Sequence, residues 1–150
     1  MFSRALLATL GVVVAITACS DSTGPSSEVS LGRMAGTWDL SRLELVLVSD
    51  STVSQDLKAA LGLSATLTIL ATGHAVLVLR QPGQPDTAVS ASVSLRGDTL
   101  VYLVGGSDYE AIVRISGRTM TWRAVQTTYW DLNGDGYSEE VFERDVWQHR

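Results

Sequence analysis

The sequence predicts an all-β domain folded as an eight-stranded antiparallel up-and-down barrel. From Ala35 onward, Gly, Asp, Asn and Pro recur at short intervals and separate runs rich in Val, Leu, Thr and aromatic residues. Several runs alternate apolar and polar side chains, as strands with one buried face do. Eight consecutive antiparallel strands must close into a barrel or divide between two sheets to dispose of their edges, so the alternative is a β-sandwich.

The predicted strands are joined by short, glycine-containing turns typical of hairpins. In the fourth run, Val89, Ala91 and Val93 alternate with serines, which predicts one buried face. The small residues Ala88, Ala91 and those of the 90–94 serine series leave room inside a barrel. The strands are predicted over residues 37–49, 64–72, 75–81, 87–95, 99–105, 109–116, 119–130 and 140–148.

The first strand and the segment after it carry two irregular features. Apolar residues change parity between Trp38 and Leu43, which indicates a β-bulge near Arg42. One short helix is predicted from Ser54 to Leu61, because Ser54 can cap its N-terminus and Gly62 can end it. This helix lies between two barrel strands and is placed to cover a mouth of the barrel.

The N-terminus has the pattern of an export signal. Arg4 precedes the uncharged run Ala5 to Ile16, whose 12 residues are too few to span a bilayer, which takes about 20. Small residues then lead to Cys19 in the string Ile16-Thr17-Ala18-Cys19. This string resembles the lipobox of bacterial lipoproteins. The resemblance implies removal of residues 1–18 and attachment of diacylglycerol and a further acyl chain, such as palmitate, to Cys19.

The resemblance predicts a membrane partner and an envelope location. Two or more acyl chains hold a protein firmly on a bilayer. Ser20, rather than Asp, follows the cysteine, which by analogy with enterobacterial sorting favours the outer over the inner membrane. Residues 19–30, poor in apolar side chains, are predicted to form a flexible tether. The alternatives are an ordinary signal peptide with an incidental cysteine, or a buried N-terminal helix.

Composition excludes several classes of protein. The chain has a formal net charge of −5 and lacks basic clusters in its sequence, which argues against nucleic-acid binding. Cys19 is the only cysteine, so neither an intramolecular disulfide nor a cysteine-based zinc site can form. His74 and His149 are expected at the solvated surface.

Residues 31–150 open with the string Leu31-Gly32-Arg33-Met34-Ala35-Gly36-Thr37-Trp38, which contains a Gly-x-Trp motif, and predicted hairpins follow. In this motif and in the order of the hairpins, the segment resembles the lipocalin-like superfamily of small up-and-down barrels. The resemblance implies that Trp38 plugs one end of the barrel and that Gly36 allows a tight entry. The disulfide and the C-terminal helix common in true lipocalins are not predicted here. An eight-stranded barrel either fills with side chains or holds one small ligand, and both readings stay open.

One loop has the residue types of a calcium site. Calcium takes six to eight oxygen ligands, which helix-flanked loops supply from positions 1, 3, 5, 7 and 9, with glycine at position 6 and glutamate at position 12. Position 12 is Phe142 here and the flanks are strands, so the loop resembles those of calcium-binding β-repeat proteins instead. An acidic hairpin turn without metal is the alternative. The predicted ligands are Asp131, Asn133, Asp135, the carbonyl of Tyr137, and Glu139.

These observations predict a non-enzymatic, membrane-anchored envelope lipoprotein whose barrel binds a small apolar ligand and whose last hairpin is held by structural calcium. The first alternative is a solid barrel that acts as a structural or protein-interaction module. The second is an enzyme that uses the acidic loop and Trp130. No catalytic constellation is evident in the sequence.

Overall fold

The computed structural model describes residues 29–150, so the predicted signal and Cys19 lie outside the described residues. No helix within this part of the chain is long and apolar enough to cross a membrane. The elements in chain order are α1 (Leu31–Met34), β1 (Gly36–Leu47), β2 (Ser54–Asp56), α2 (Leu57–Leu61), β3 (Ser64–Leu70), β4 (His74–Arg80), β5 (Thr87–Arg96), β6 (Thr99–Val104), β7 (Ser107–Ser116), β8 (Thr119–Trp130) and β9 (Glu139–His149).

The eight long strands form a closed antiparallel barrel. Strands β3 to β9 pair in sequence order, and β1 closes the ring by pairing with β3 through residues 36–39 and with β9 through residues 38–47. The short strand β2 pairs with residues 44–46 of β1, beyond the point where β3 has left it. The predicted barrel is therefore confirmed, and the β-sandwich is excluded.

The irregularity in the first strand is a bulge, as the sequence predicts. The register between β1 and β9 shifts between Leu40 and Arg42, which moves the inward-facing residues to the other parity. Glu44 then faces the opposite side from Leu45, which points into the barrel, and it is nevertheless buried. Its carboxylate accepts hydrogen bonds from Arg144 at 2.8 Å and Arg42 at 3.2 Å, which offset the cost of its burial.

The helix after β1 is shorter than predicted. It begins at Leu57, because the carboxylate of Asp56 rather than the hydroxyl of Ser54 caps it, accepting from the Ala59 N–H at 3.1 Å. Residues 54–56 form β2 instead, and Gly62 ends the helix with a φ of 62°. A one-turn helix, α1, was not predicted, since four residues are too few to show a helical period.

The buried core fills one end of the barrel, named here the closed end, which contains α1 and the β3–β4, β5–β6 and β7–β8 turns. Leu31 packs against this core, and so does Val29, a residue that the sequence assigned to the tether. The core residues are Met34, Trp38, Leu40, Ala65, Leu67, Ile69, Ala75, Val93, Leu100, Val113, Ile115, Met120 and Trp147.

The opposite end, named here the open end, carries the remaining connections between strands, and all but one are longer than the closed-end turns. These are residues 48–63, 81–86, 131–138 and the short turn 105–106. Helix α2 lies in the first of them, yet none of its residues lines the hollows described below. The pairings that close the barrel are made within residues 36–149 of the described chain.

Candidate functional site

The Gly-x-Trp segment lies at the closed end. The indole of Trp38 is buried, donates a hydrogen bond to the Met34 carbonyl at 2.8 Å, and meets the His149 ring edge-on at 4.7 Å. Gly36 has a φ of 136°, and a Cβ at this position would lie 2.5 Å from His149 Nε2. His149 is thus packed against the entry to β1 rather than free at the surface, and its ring explains why a glycine stands there.

A cavity of about 180 Å³ lies inside the barrel next to this core. Small side chains at Ala75 and Ala91 help to leave it unfilled. The serines on β5 do not contribute, since Ser90, Ser92 and Ser94 are exposed on the outer surface, as is Ala88. The cavity is lined by Leu67, Ala75, Leu77, Val89, Ala91, Val93, Tyr102, Val104, Trp122, Glu143, Asp145 and Trp147.

The cavity continues toward the open end. A second hollow of about 430 Å³ adjoins it, and the two share part of their walls. This outer hollow also contacts Tyr109 and Thr128, which lie close to the ends of their strands at the open end. The barrel interior is therefore reached from solvent through the open end. The shared lining residues are Leu77, Val89, Tyr102, Val104 and Glu143.

An aromatic row runs along one wall of this passage. The rings of Tyr109 and Tyr102 stack at 5.4 Å between centroids, Tyr102 meets Trp122 at 5.9 Å, and Trp122 meets Trp147 at 5.8 Å. Tyr109 is 42% exposed whereas Trp147 is 3% exposed, so the row leads from solvent to the core. It gives the passage an aromatic, polarizable wall suited to an apolar ring or a cation.

Two carboxylates stand on the cavity wall contributed by β9. Asp145 lies opposite Trp122 in the β8–β9 register, and Glu143 lies two residues before it on the same face. No ion pair or side-chain hydrogen bond within residues 29–150 involves either carboxylate. Arg144 lies between them in sequence but pairs with Glu44 outside the cavity.

Enclosure changes the acidity of these groups. Burial raises the pKa of Asp145 well above its usual range, and the neighbouring Glu143 charge raises it further. Solvent reaches Glu143 through the open end, yet the surrounding barrel wall still raises its pKa. Burial and then the nearby Glu143, Asp145 and Tyr109 raise the pKa of Tyr102 to about 12. The cavity therefore favours protonation of its acids when no cation is bound.

Three polar atoms of the cavity wall are buried without a hydrogen-bond partner among the described residues. They are Asp145 Oδ1 and the indole Nε1 atoms of Trp122 and Trp147. Buried polar groups are normally satisfied, so each of these atoms calls for water or a ligand group. They also mark the cavity as something other than a packing defect, because a gap between apolar side chains would leave no such groups.

The acidic loop between β8 and β9 brings its carboxylates together. One oxygen from each of Asp131, Asp135 and Glu139 lies within 4.8 Å of the others. Asp131 accepts backbone N–H bonds from Gly134 at 2.7 Å and Gly136 at 2.9 Å, which fold the loop around it. Three like charges at this spacing repel one another, and a divalent cation would remove the repulsion.

Asn133 and Tyr137 take part in the same loop in different ways. The amide nitrogen of Asn133 donates to Asp135 at 3.0 Å and to Glu139 at 3.1 Å, so it bridges the carboxylates, and calcium ligation would require its amide to turn. Tyr137 is joined to Asp135 Oδ1 by its N–H at 2.9 Å, whereas the predicted ligand is its carbonyl oxygen. The oxygen-rich donor set is one that suits calcium.

Trp130 lies at the open end, as the last residue of β8. Its indole N–H donates to Gln55 Oε1 at 3.1 Å, which joins the end of β8 to β2, and its side chain is 46% exposed. Glu140, next to the acidic loop, accepts from Thr127 at 2.7 Å instead of turning toward the loop. Trp130 therefore has a structural contact that the sequence did not reveal.

One solved structure of low sequence identity is similar to the chain. No protein-family model and no curated protein matches the chain. Among solved structures, the crystal structure of a mutant of the fluorescent protein UnaG matches with 14% sequence identity and a TM-score of 0.44, covering 80% of this chain and 98% of that one. The assignment of a closed up-and-down barrel rests on the strand pairing of this chain.

Proposed function

We propose that the protein is a lipid-anchored envelope protein, without enzymatic activity, whose barrel binds a small apolar ligand. The observation that supports this function is the cavity of about 180 Å³, walled mainly by apolar and aromatic side chains and continuous with a hollow at the open end. Concave, mostly apolar sites with a few polar groups are the usual form of small-molecule sites, and barrel mouths are a common place for them.

The size of the cavity limits the ligand. A protein cavity of about 150 Å³ holds benzene, whereas drug-sized ligands occupy about 300–1,000 Å³. The inner cavity alone therefore suits a single substituted ring, and a longer ligand would extend into the outer hollow. The solid interaction module remains the second candidate, since the closed end is filled by the core and the cavity is small.

Filling the cavity is expected to weaken binding of a neutral ring compound. Ala91→Phe places a ring into the cavity, whereas Ser92→Phe places the same ring on the outer surface of the same strand. Titration calorimetry with 2-phenylethanol on the chain from Ser20 onward is expected to show binding by the wild type and Ser92→Phe, and loss of at least about tenfold in affinity in Ala91→Phe. Equal affinities in all three proteins would place the binding elsewhere.

Anchoring by lipid on Cys19 is part of the same proposal, and its support is the lipobox-like string described above. The anchor would hold the barrel at the bacterial envelope, with the outer membrane favoured by Ser20. Cells fed labelled palmitate are expected to incorporate the label into the wild type and not into Cys19→Ser. Equal incorporation into both proteins would contradict lipid anchoring on Cys19.

Calcium in the acidic loop is proposed as a structural cofactor, supported by the three clustered carboxylates. The ion would hold the β8–β9 hairpin by joining its two ends. Excess calcium is expected to raise the Tm of the wild type by about 5 °C over EDTA, since a ligand of the folded state stabilises it. Asp135→Asn is expected to lose most of this shift and Asp108→Asn, on the exposed surface of β7, to keep it. A wild-type Tm that calcium leaves unchanged would rule out the site.

A further inference from the structure

The described residues that line the interior of the barrel include negative groups and no positive ones. Among these described side chains, Glu143 and Asp145 are the only charged ones, and Tyr102 and Tyr109 are the only others that titrate. Within residues 29–150, no Lys, Arg or His lines the cavity or the outer hollow. Unpaired carboxylates inside a protein are costly, and groups held in such surroundings concentrate at sites of function.

The wall around the carboxylates is aromatic. Trp122 lies opposite Asp145 across the β8–β9 ladder, Tyr102 is close enough for both carboxylates to raise its pKa, and Trp147 follows Asp145 on the same face of β9. Aromatic faces attract organic cations, most strongly where water is excluded. A site in which aromatic rings flank carboxylates is suited to bind an ammonium group attached to an apolar molecule.

Unsatisfied polar atoms on the same wall indicate that a ligand group belongs there. Trp147 is 3% exposed and its Nε1 has no acceptor, and Asp145 Oδ1 is buried with no donor within the described part of the chain. An ammonium supplies three donors for the carboxylates. The indole N–H groups are suited to an oxygen atom, either of water or of a hydroxyl on the ligand.

We infer that the ligand of the cavity is a small aromatic or apolar amine, bound as its ammonium ion by Glu143 and Asp145 against Tyr102, Trp122 and Trp147. This inference rests on the proposed ligand-binding function and specifies its ligand class. The positive charge of the ligand neutralises the two carboxylates, which no basic side chain of the described residues does. The cavity volume limits the amine to about one substituted ring, by the comparison with benzene made above.

The test compares two probes of nearly equal shape and different charge. Phenethylamine carries an ammonium where 2-phenylethanol carries a hydroxyl, so both fit the same cavity. Calorimetric titrations at neutral pH use the chain from Ser20 onward, which includes the whole barrel. Phenethylamine is expected to bind at least about tenfold more tightly, the difference expected for hydrogen bonds to charged groups.

Charge-neutral variants show whether the carboxylates cause this preference. Glu143→Gln and Asp145→Asn are expected to lower the affinity for phenethylamine about tenfold while changing that for 2-phenylethanol less than about threefold. Asp108→Asn, which removes the same charge from the outer surface of β7, is expected to leave both affinities unchanged.

The possible results distinguish a failure of the amine assignment from a failure of the proposed ligand-binding function. Equal affinity of the wild type for the two probes would overturn the amine assignment and leave an apolar-ligand barrel. A preference for the amine that survives in both Glu143→Gln and Asp145→Asn would also overturn it, because the charge would then act elsewhere. Binding of neither probe would overturn the inference together with the proposed function.

Discussion

Replacing Trp38 with alanine is expected to lower the free energy of unfolding by about 3–5 kcal/mol, the usual cost of truncating a large buried aromatic side chain. Trp38 is 1% exposed, packs against Met34 and His149, and satisfies the Met34 carbonyl with its indole N–H. The truncation therefore leaves a cavity at the closed end and an unpaired carbonyl of α1, and both effects destabilise the fold.

Urea denaturation followed by circular dichroism measures this loss. Trp130→Ala is the matched control, since it removes the same side chain from a position that is 46% exposed and has one hydrogen bond, to Gln55. Its cost is expected to stay below about 1.5 kcal/mol. Equal destabilisation by the two substitutions would contradict the assignment of Trp38 to the core of the closed end.

Replacing Asp145 with asparagine is expected to stabilise the protein at neutral pH. Folding raises the pKa of Asp145, so as the pH rises above about 4 the unfolded chain releases this proton while the folded chain still holds it. Stability therefore falls as the pH rises from there through the raised pKa. Glu143 shifts in the same direction and adds to the fall. Asparagine has no charge to bury, so it removes the contribution of Asp145.

The expected gain at pH 7 is about 1.4 kcal/mol for each unit by which folding raises the pKa of Asp145. Urea denaturation at pH 4.5 and pH 7 is expected to show a smaller gain at the lower pH, where the wild type still holds the proton. Asp108→Asn serves as the control for loss of one negative charge. A variant that is less stable than the wild type at pH 7 would show that the charged Asp145 stabilises the fold, contrary to this account.

The architecture could be predicted from sequence because its signals are local and do not depend on tertiary contacts. Turns of glycine and aspartate separated eight runs, and the alternation in β5 and β7 placed Val93 and Val113 on the buried face, as the structure confirms. The bulge in β1 was evident because apolar residues are dense enough there to show a change of parity. Helix α2 began late because Asp56, two residues after Ser54, provided the cap.

The carboxylates of the cavity could not be found from sequence because β9 has no clear apolar face. Val141 and Trp147 share their parity with Glu143 and Asp145, whereas Phe142 and Val146 alternate with Arg144. Both faces of β9 mix apolar and charged residues. Which face points into the barrel therefore became clear only from the pairing of β9 with β1 and β8. The prediction that the 90–94 serines leave room inside the barrel was wrong, because small residues fit either face of a strand and do not show which face is buried.

The most direct test of the ligand-binding barrel is native mass spectrometry of the chain from Ser20 onward, purified from the periplasm of bacteria in the presence of calcium. The account predicts an organic adduct that solvent extraction removes, that contains nitrogen, and that Ala91→Phe lacks while Ser92→Phe retains it. A wild-type spectrum with no organic adduct, or an adduct that Ala91→Phe keeps, would contradict it.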